Sequence, residues 1–181
     1  MEQTFLHNLR ESPLLLMRTP YETARQLAVE RAIATAVEQK RGTKLLKLPD
    51  KWILDYAVHN KNNEITCYVE IRTLTNTYEQ VKRYGGYFLN VNKWLAAKHY
   101  YEALNKPTVI IVRTSEGRVS YLTLTDFPNN IPHCITGRED RGDPDDKEPA
   151  FKFKIENLKF LLNFSDEELE ASILAANKSG G

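Results

Sequence analysis

Apolar positions at helical spacing over Tyr21 to Arg41 predict the longest helix of the chain. The segment is rich in Ala and Leu, holds no Gly or Pro, and runs into Gly42, a residue suited to the left-handed turn that follows a helix. Thr19, before Pro20, is the expected cap. Beyond Gly42 the period falls from 3.6 to 2. Lys44–Leu48, Trp52–His59 and Glu64–Leu74 then read as three strands, the last two joined by Asn60-Lys61-Asn62-Asn63, which is hairpin-turn chemistry. A short helix from Tyr78 to Tyr84 is broken by Gly85-Gly86. Asn90 or Asn92 caps a further helix reaching Asn105, with Trp94, Leu95, Ala97, Tyr101 and Leu104 as its apolar contacts and Pro107 as its stop. Thr108–Arg113 is a β-branched run of the central-strand kind; Glu116-Gly117 turns the chain into another strand, Val119–Leu124.

Residues 126–149 carry four prolines, two glycines and many acids, and read as a long loop. Phe151–Ile155 alternates like an edge strand, and Ser165-Asp-Glu-Glu168 is a capping-box pattern opening a C-terminal helix. The order suggests an α/β fold: a central mixed β-sheet flanked by helices. Residues 1–20 form an N-terminal arm, 21–164 the domain, and 165–181 a C-terminal helix and a disordered tail.

Composition narrows the class without naming a function. With 181 residues, 41% hydrophobic and 27% charged, the chain is an ordinary soluble globular protein. Leu14-Leu15-Leu16-Met17 is too short to span a bilayer, and charged residues interrupt any signal-peptide pattern. Cys67 and Cys134 lack ligand spacing and suit a reducing cytoplasm, with Cys67 a free thiol on the apolar side of its strand. The net charge of +1 does not announce a nucleic-acid binder. Its distribution is less neutral: eight Lys/Arg stand against three acids from Arg72 to Arg118, and six acids crowd Glu139 to Glu148. Lys82, Arg83 and Tyr84, between Tyr78 and Tyr87, read either as a nucleic-acid track or as helix packing.

The chemistry gathers around Glu70-Ile71-Arg72. Strand alternation puts Cys67, Val69 and Ile71 on one face, and Tyr68, Glu70 and Arg72 on the other. Exposed cross-strand ion pairs give the same pattern. Asp55 changes the balance. It is the lone carboxylate of Trp52-Ile-Leu-Asp-Tyr-Ala-Val58, and a carboxylate in such a run needs a cation, a donor or a metal. Asp50 competes, but turn chemistry explains it. Glu30 is a third carboxylate, bracketed on its helix by Leu27, Ile33, Ala34 and Val37; it is either a rim residue or one aimed at a polar centre. Glu30, Asp55 and Glu70 are oxygen ligands of the kind Mg2+ or Mn2+ prefers, and a metal so held beside a cation can promote phosphodiester hydrolysis.

A helix with Glu, a strand with Asp, then Glu-x-Lys on the next strand and a further helix resembles the PD-(D/E)xK nuclease superfamily. Gly137–Pro149 and Lys93-Trp94-Leu95-Ala96 are similar to segments of its small bacteriophage members, so the resemblance covers roughly residues 20–156. It implies a restriction-endonuclease-like α/β/α core, a Mg2+-dependent deoxyribonuclease activity, DNA as partner, and Asp55, Glu70 and Glu30 as metal ligands. Arg72 stands in the lysine place. It keeps the charge but does not lose its proton at neutral pH, so either it stabilises charge or a displaced cation serves, Lys93 first and Lys82 second. The alternative is an impaired nuclease fold that binds nucleic acid or inhibits a host protein. Nucleases that cut both strands often dimerise, leaving monomer and homodimer both open. Arg138, Asp140, Arg141 and Asp143 read as a salt-bridged loop closing over the sheet.

Overall fold

Thr23, rather than Thr19, starts the first helix. Its side chain accepts from the Gln26 amide while the Gln26 side chain accepts from the Thr23 amide, a reciprocal box worth about 1 kcal/mol. The computed structural model describes residues 23–49, 52–127, 131–136 and 148–179. The N-terminal arm with Thr19, Asp50, most of the Gly137–Pro149 segment and the last two residues lie outside them. Helix α1, Ala24–Arg41, ends as expected: Gly42 takes φ 64° and its N–H returns to Glu38 O.

Three antiparallel strands follow: β1, Lys44–Lys47, β2, Tyr56–His59, and β3, Ile65–Thr73. The Asn60–Asn63 turn is confirmed, with Asn63 in the left-handed region. The second strand is shorter than expected, because Trp52–Asp55 is a bend. The cause is the Asp55 side chain, which takes the Ile71 N–H at 2.8 Å, while its backbone bonds Val69 O and Leu48 N. A side chain that captures a ladder donor displaces regular pairing at that point.

From β3 the chain crosses over through α2 (Tyr78–Arg83), β4 (Tyr87–Asn90) and α3 (Val91–Leu104) to β5 (Thr108–Arg113), which pairs parallel to β3. Strand β6 (Arg118–Leu124) returns antiparallel to β5. Then come β7 (His133–Thr136), β8 (Glu148–Phe153), a 3-10 turn at Ile155–Asn157, β9 (Lys159–Asn163) and α4 (Asp166–Ser179). The main sheet has the order β1-β2-β3-β5-β6-β9 and is mixed, as the sequence suggested. A second sheet, β4-β8-β7, was not expected. It corrects two readings: part of the 126–149 stretch is strand, and the strand read at Phe151–Ile155 is the middle strand of this small sheet, not an edge. Gly86 permits its close approach, since a Cβ there would lie 2.0 Å from Phe153 O.

The two faces of the main sheet are buried differently. Ile33, Ala34 and Val37 of α1 and Leu169 and Ile173 of α4 cover Val69, Ile71 and Ile111. Arg113, itself buried, donates through Nε to Phe164 O and meets Asp166 at 2.7 Å, tying β5 to the start of α4. The Ser165–Glu168 capping box forms as expected. On the other face Trp94 and Ala97 of α3 and Tyr87 and Leu89 of β4 pack on Ile110, Val112 and Leu124. Leu95 and Leu104, expected as contacts, are each 51% exposed, on the outer side of α3. Among the described residues no helix is long and apolar enough to cross a membrane.

Candidate active site

Glu70 is fully buried, which removes the reading of an exposed cross-strand ion. It sits in the middle of β3, opposite Ile110 of β5, on the face covered by α3. Burial pushes its carboxyl up to about 7; Arg72 and Lys93 pull the other way, and Asp55 adds to the push. Its Oε2 accepts from Lys93 Nζ at 2.8 Å. Its Oε1 lies 2.6 Å from Arg72 Nη2, yet that approach lies off the N–H direction and makes no hydrogen bond. That buried oxygen is thus held by an ion pair alone.

Asp55 faces Glu70 from the bend before β2. Oδ2 is fixed by the Ile71 amide, so Oδ1 is presented to Lys93 at 3.7 Å and Lys47 at 4.0 Å. Lys93 arrives from the first turn of α3, which Asn90 caps by accepting from the Asn92 amide. The ammonium also donates to the Ile53 carbonyl. One lysine thus reaches both carboxylates from a different element. Arg72 lies on the same face as Glu70. Burial works against its charge, but Glu70, Tyr87 and Asp55 outweigh that and hold the guanidinium firmly protonated. The Tyr87 hydroxyl is pushed up by burial, and the neighbouring Arg72 charge partly offsets that push.

Glu30 is not gathered with the other two. Helix α1 covers the opposite face of the sheet, and Lys47 takes the Glu30 carboxylate at 3.1 Å while leaning towards Asp55. Among the described residues no three His, Cys, Asp or Glu side chains stand close enough to hold a metal. The expected three-carboxylate set is therefore a pair, with Glu30 one lysine removed. An open cleft of about 370 Å³ between α1 and the end of β3 is lined by Arg25, Glu30, Arg72 and Thr73. Lys82 and Arg83 at the end of α2, and Tyr84 just after it, face solvent, Lys82 beside Glu156 at 3.5 Å. Tyr78 packs under Arg118 and Tyr87 points inward, so the aromatics flanking them do not continue the row.

Sequence reasoning overlooked Lys47 and the Tyr87–Arg72 contact. The first was within reach: antiparallel pairing of the first two strands brings Lys47 opposite Tyr56, next to Asp55. The second depends on β4, whose existence the sequence did not signal.

The raised Glu70 carboxyl has a stability consequence. An unfolded glutamate releases its proton near 4.5 and the folded one near 7, so the native state holds the extra proton in between. Rising pH through that window should destabilise the metal-free protein. Glu70→Gln is expected to unfold at higher temperature than wild type at pH 8 in EDTA, by on the order of 3 kcal/mol, with the advantage vanishing below pH 4.5. Thermal melts of both proteins across pH check this; a less stable variant at pH 8 would contradict it.

The family described as "Phage putative PDDEXK endonuclease" matches residues 16–161. Among solved structures, Hjc, a Holliday junction resolvase of Archaeoglobus fulgidus, is similar at 8% identity and a TM-score of 0.40, over 80% of this chain and 97% of that one. No curated protein matches.

Proposed function

The chain belongs to the phage PDDEXK endonuclease family, and from that premise we propose that it is a metal-dependent DNA nuclease whose lysine function has moved from the strand to the helix. Asp55 and Glu70 would hold Mg2+ (or Mn2+), and Lys93 would supply the motif's cation. The observation that carries the reading is the Lys93 ammonium, within 2.8 Å of Glu70 and 3.7 Å of Asp55.

The donor set suits such an ion. Mg2+ binds through one or two carboxylates together with substrate phosphate oxygens and water. Glu70 Oε1 is buried and ion-paired with Arg72 at 2.6 Å without a hydrogen bond, and Asp55 Oδ1 faces only ammonium groups among the described contacts. When bound, the ion polarises the phosphodiester and makes an attacking water more acidic. The residues do the rest. Lys93, once displaced from the carboxylates, orients the water and neutralises the charge that develops on phosphorus-bound oxygen. Arg72 cannot take up a proton; its fork, beside Tyr87, would hold a phosphate oxygen. Glu30 fixes Lys47, which in turn stands over Asp55.

Supercoiled plasmid and linear duplex, each incubated with Mg2+, Mn2+ or EDTA, test the reading. Cutting in the metal lanes alone is expected. Intact DNA in every lane, with retardation of the same DNA on a gel, would sink the enzyme and favour an impaired nuclease fold that binds nucleic acid.

A further inference from the structure

Three aromatic rings from three elements meet beside the two carboxylates. Trp52 comes from the bend before β2, Tyr68 from β3 and Tyr100 from α3. All three are mutually near parallel. Tyr68 and Tyr100 stack at 4.5 Å and 30°, Trp52 on Tyr100 at 5.9 Å and 29°, and Trp52 on Tyr68 at 6.4 Å and 24°. The lower ring is fixed: Tyr68 is 3% exposed and packs with Leu54, Ala57 and Ala96. The upper one is not covered. Trp52 is 44% exposed, and its neighbour Ile53 is 45% exposed.

Resting on the nuclease reading of the adjoining carboxylates, we propose that Trp52 and its two supporting tyrosines seat an unpaired nucleobase, so that the substrate is single-stranded or carries a flap. Position argues for it. Tyr68 lies two residues before Glu70 on the same face of β3, about 7 Å away, and Trp52 lies three residues before Asp55. A nucleotide whose phosphate sits at Asp55 and Glu70 brings its own or its neighbour's base to this ring. Charge argues for it as well, because Lys93 and Tyr100 share one side of α3, two turns apart. Backbone and base then have separate, adjacent partners. The chemistry is that of single-strand recognition, where a planar ring accepts any base and a neighbouring cation accepts the phosphate. A paired base buries its faces in the duplex and cannot use the seat.

Trp52 carries its own reporter. The chain has two tryptophans, and Trp94 is 5% exposed between Phe127 and Phe151. Quenching by a stacked base therefore reads Trp52. The full chain in EDTA, where nothing is cut, is titrated with oligothymidylate, a flapped duplex and a blunt duplex. Oligothymidylate and the flapped duplex are expected to quench Trp52. Trp52→Ala should lower their affinity about tenfold and leave blunt-duplex affinity unchanged. Trp52→Phe, which keeps a ring in the stack, should retain most of the affinity and rules out misfolding as the cause. Equal loss for all three DNAs, or binding without quenching, would overturn the seat while metal-dependent cutting still upheld the nuclease. Emission that shifts with protein concentration and ignores DNA would also overturn it, assigning the patch to a second copy of the chain. Neither binding nor cutting of any DNA would remove both readings.

Discussion

Asp55→Asn should lower the metal-dependent cleavage rate by about a thousandfold or more and abolish Mn2+ binding at millimolar metal, with the fold intact. The asparagine keeps an oxygen for the Ile71 N–H, which in wild type bonds Oδ2 at 2.8 Å, so the bend before β2 is retained. What disappears is the charge on Oδ1, the oxygen turned towards Lys93 and Lys47. A divalent ion loses one of two carboxylates, and with it the chief reason to sit there. Calorimetric titration with Mn2+ reads the binding and gel cleavage the rate. A variant that cuts within tenfold of wild type would show that the metal, if any, is held elsewhere.

Lys93→Met should cost about a hundredfold to a thousandfold in rate, the usual scale for removing a group that stabilises developing charge. Arg72→Lys should change the rate less than tenfold, because the lysine role is already filled from α3. The two substitutions separate the candidates cleanly. If Arg72 were the operative cation, Arg72→Lys would raise the rate strongly and Lys93→Met would be mild. A second readout distinguishes lost chemistry from lost structure. Lys93 is one of the two cations holding the Glu70 carboxyl down, against burial. Without it Glu70 ionises at higher pH, so the acid limb of the pH–rate profile should move upward. A rate loss with an unmoved profile would mean that Lys93 does not act beside Glu70.

Much of this arrangement was legible in the chain, for identifiable reasons. Helix α1 announces itself by composition and by Gly42. The β2–β3 hairpin does so by alternation and its asparagine turn. Asp55 stood out because no strand keeps a carboxylate among apolar neighbours without a partner, and the partners proved to be the Ile71 amide and two lysines. Lys93 could be named because it stands in the first turn of α3, the helix that leads back to the sheet after the motif strand. Other features depend on distant pairing. Strands β4 and β7 have four residues each, too few for alternation to register, and both exist through their ladders with β8. Glu30 stands one lysine away from the pair, a placement its apolar helical neighbours could not signal, because they read the same whichever face of the sheet α1 covers. Trp52 opened an apolar run read as strand, whereas the structure has a bend over Trp52–Asp55 with Trp52 exposed.

The balance of charge around the carboxylates carries a thermodynamic corollary. Among the described residues, Glu30, Asp55 and Glu70 are matched by Lys47, Arg72 and Lys93 through the contacts given above. With all three carboxylates ionised the cluster is neutral, so a divalent cation entering it brings two uncompensated positive charges. The anion that balances them is the phosphodiester itself. Metal and DNA therefore belong to one linked equilibrium, each raising the other's affinity by the same factor. A free divalent ion is then held more weakly than one beside bound DNA, and a nuclease built this way arms itself chiefly where its substrate already lies.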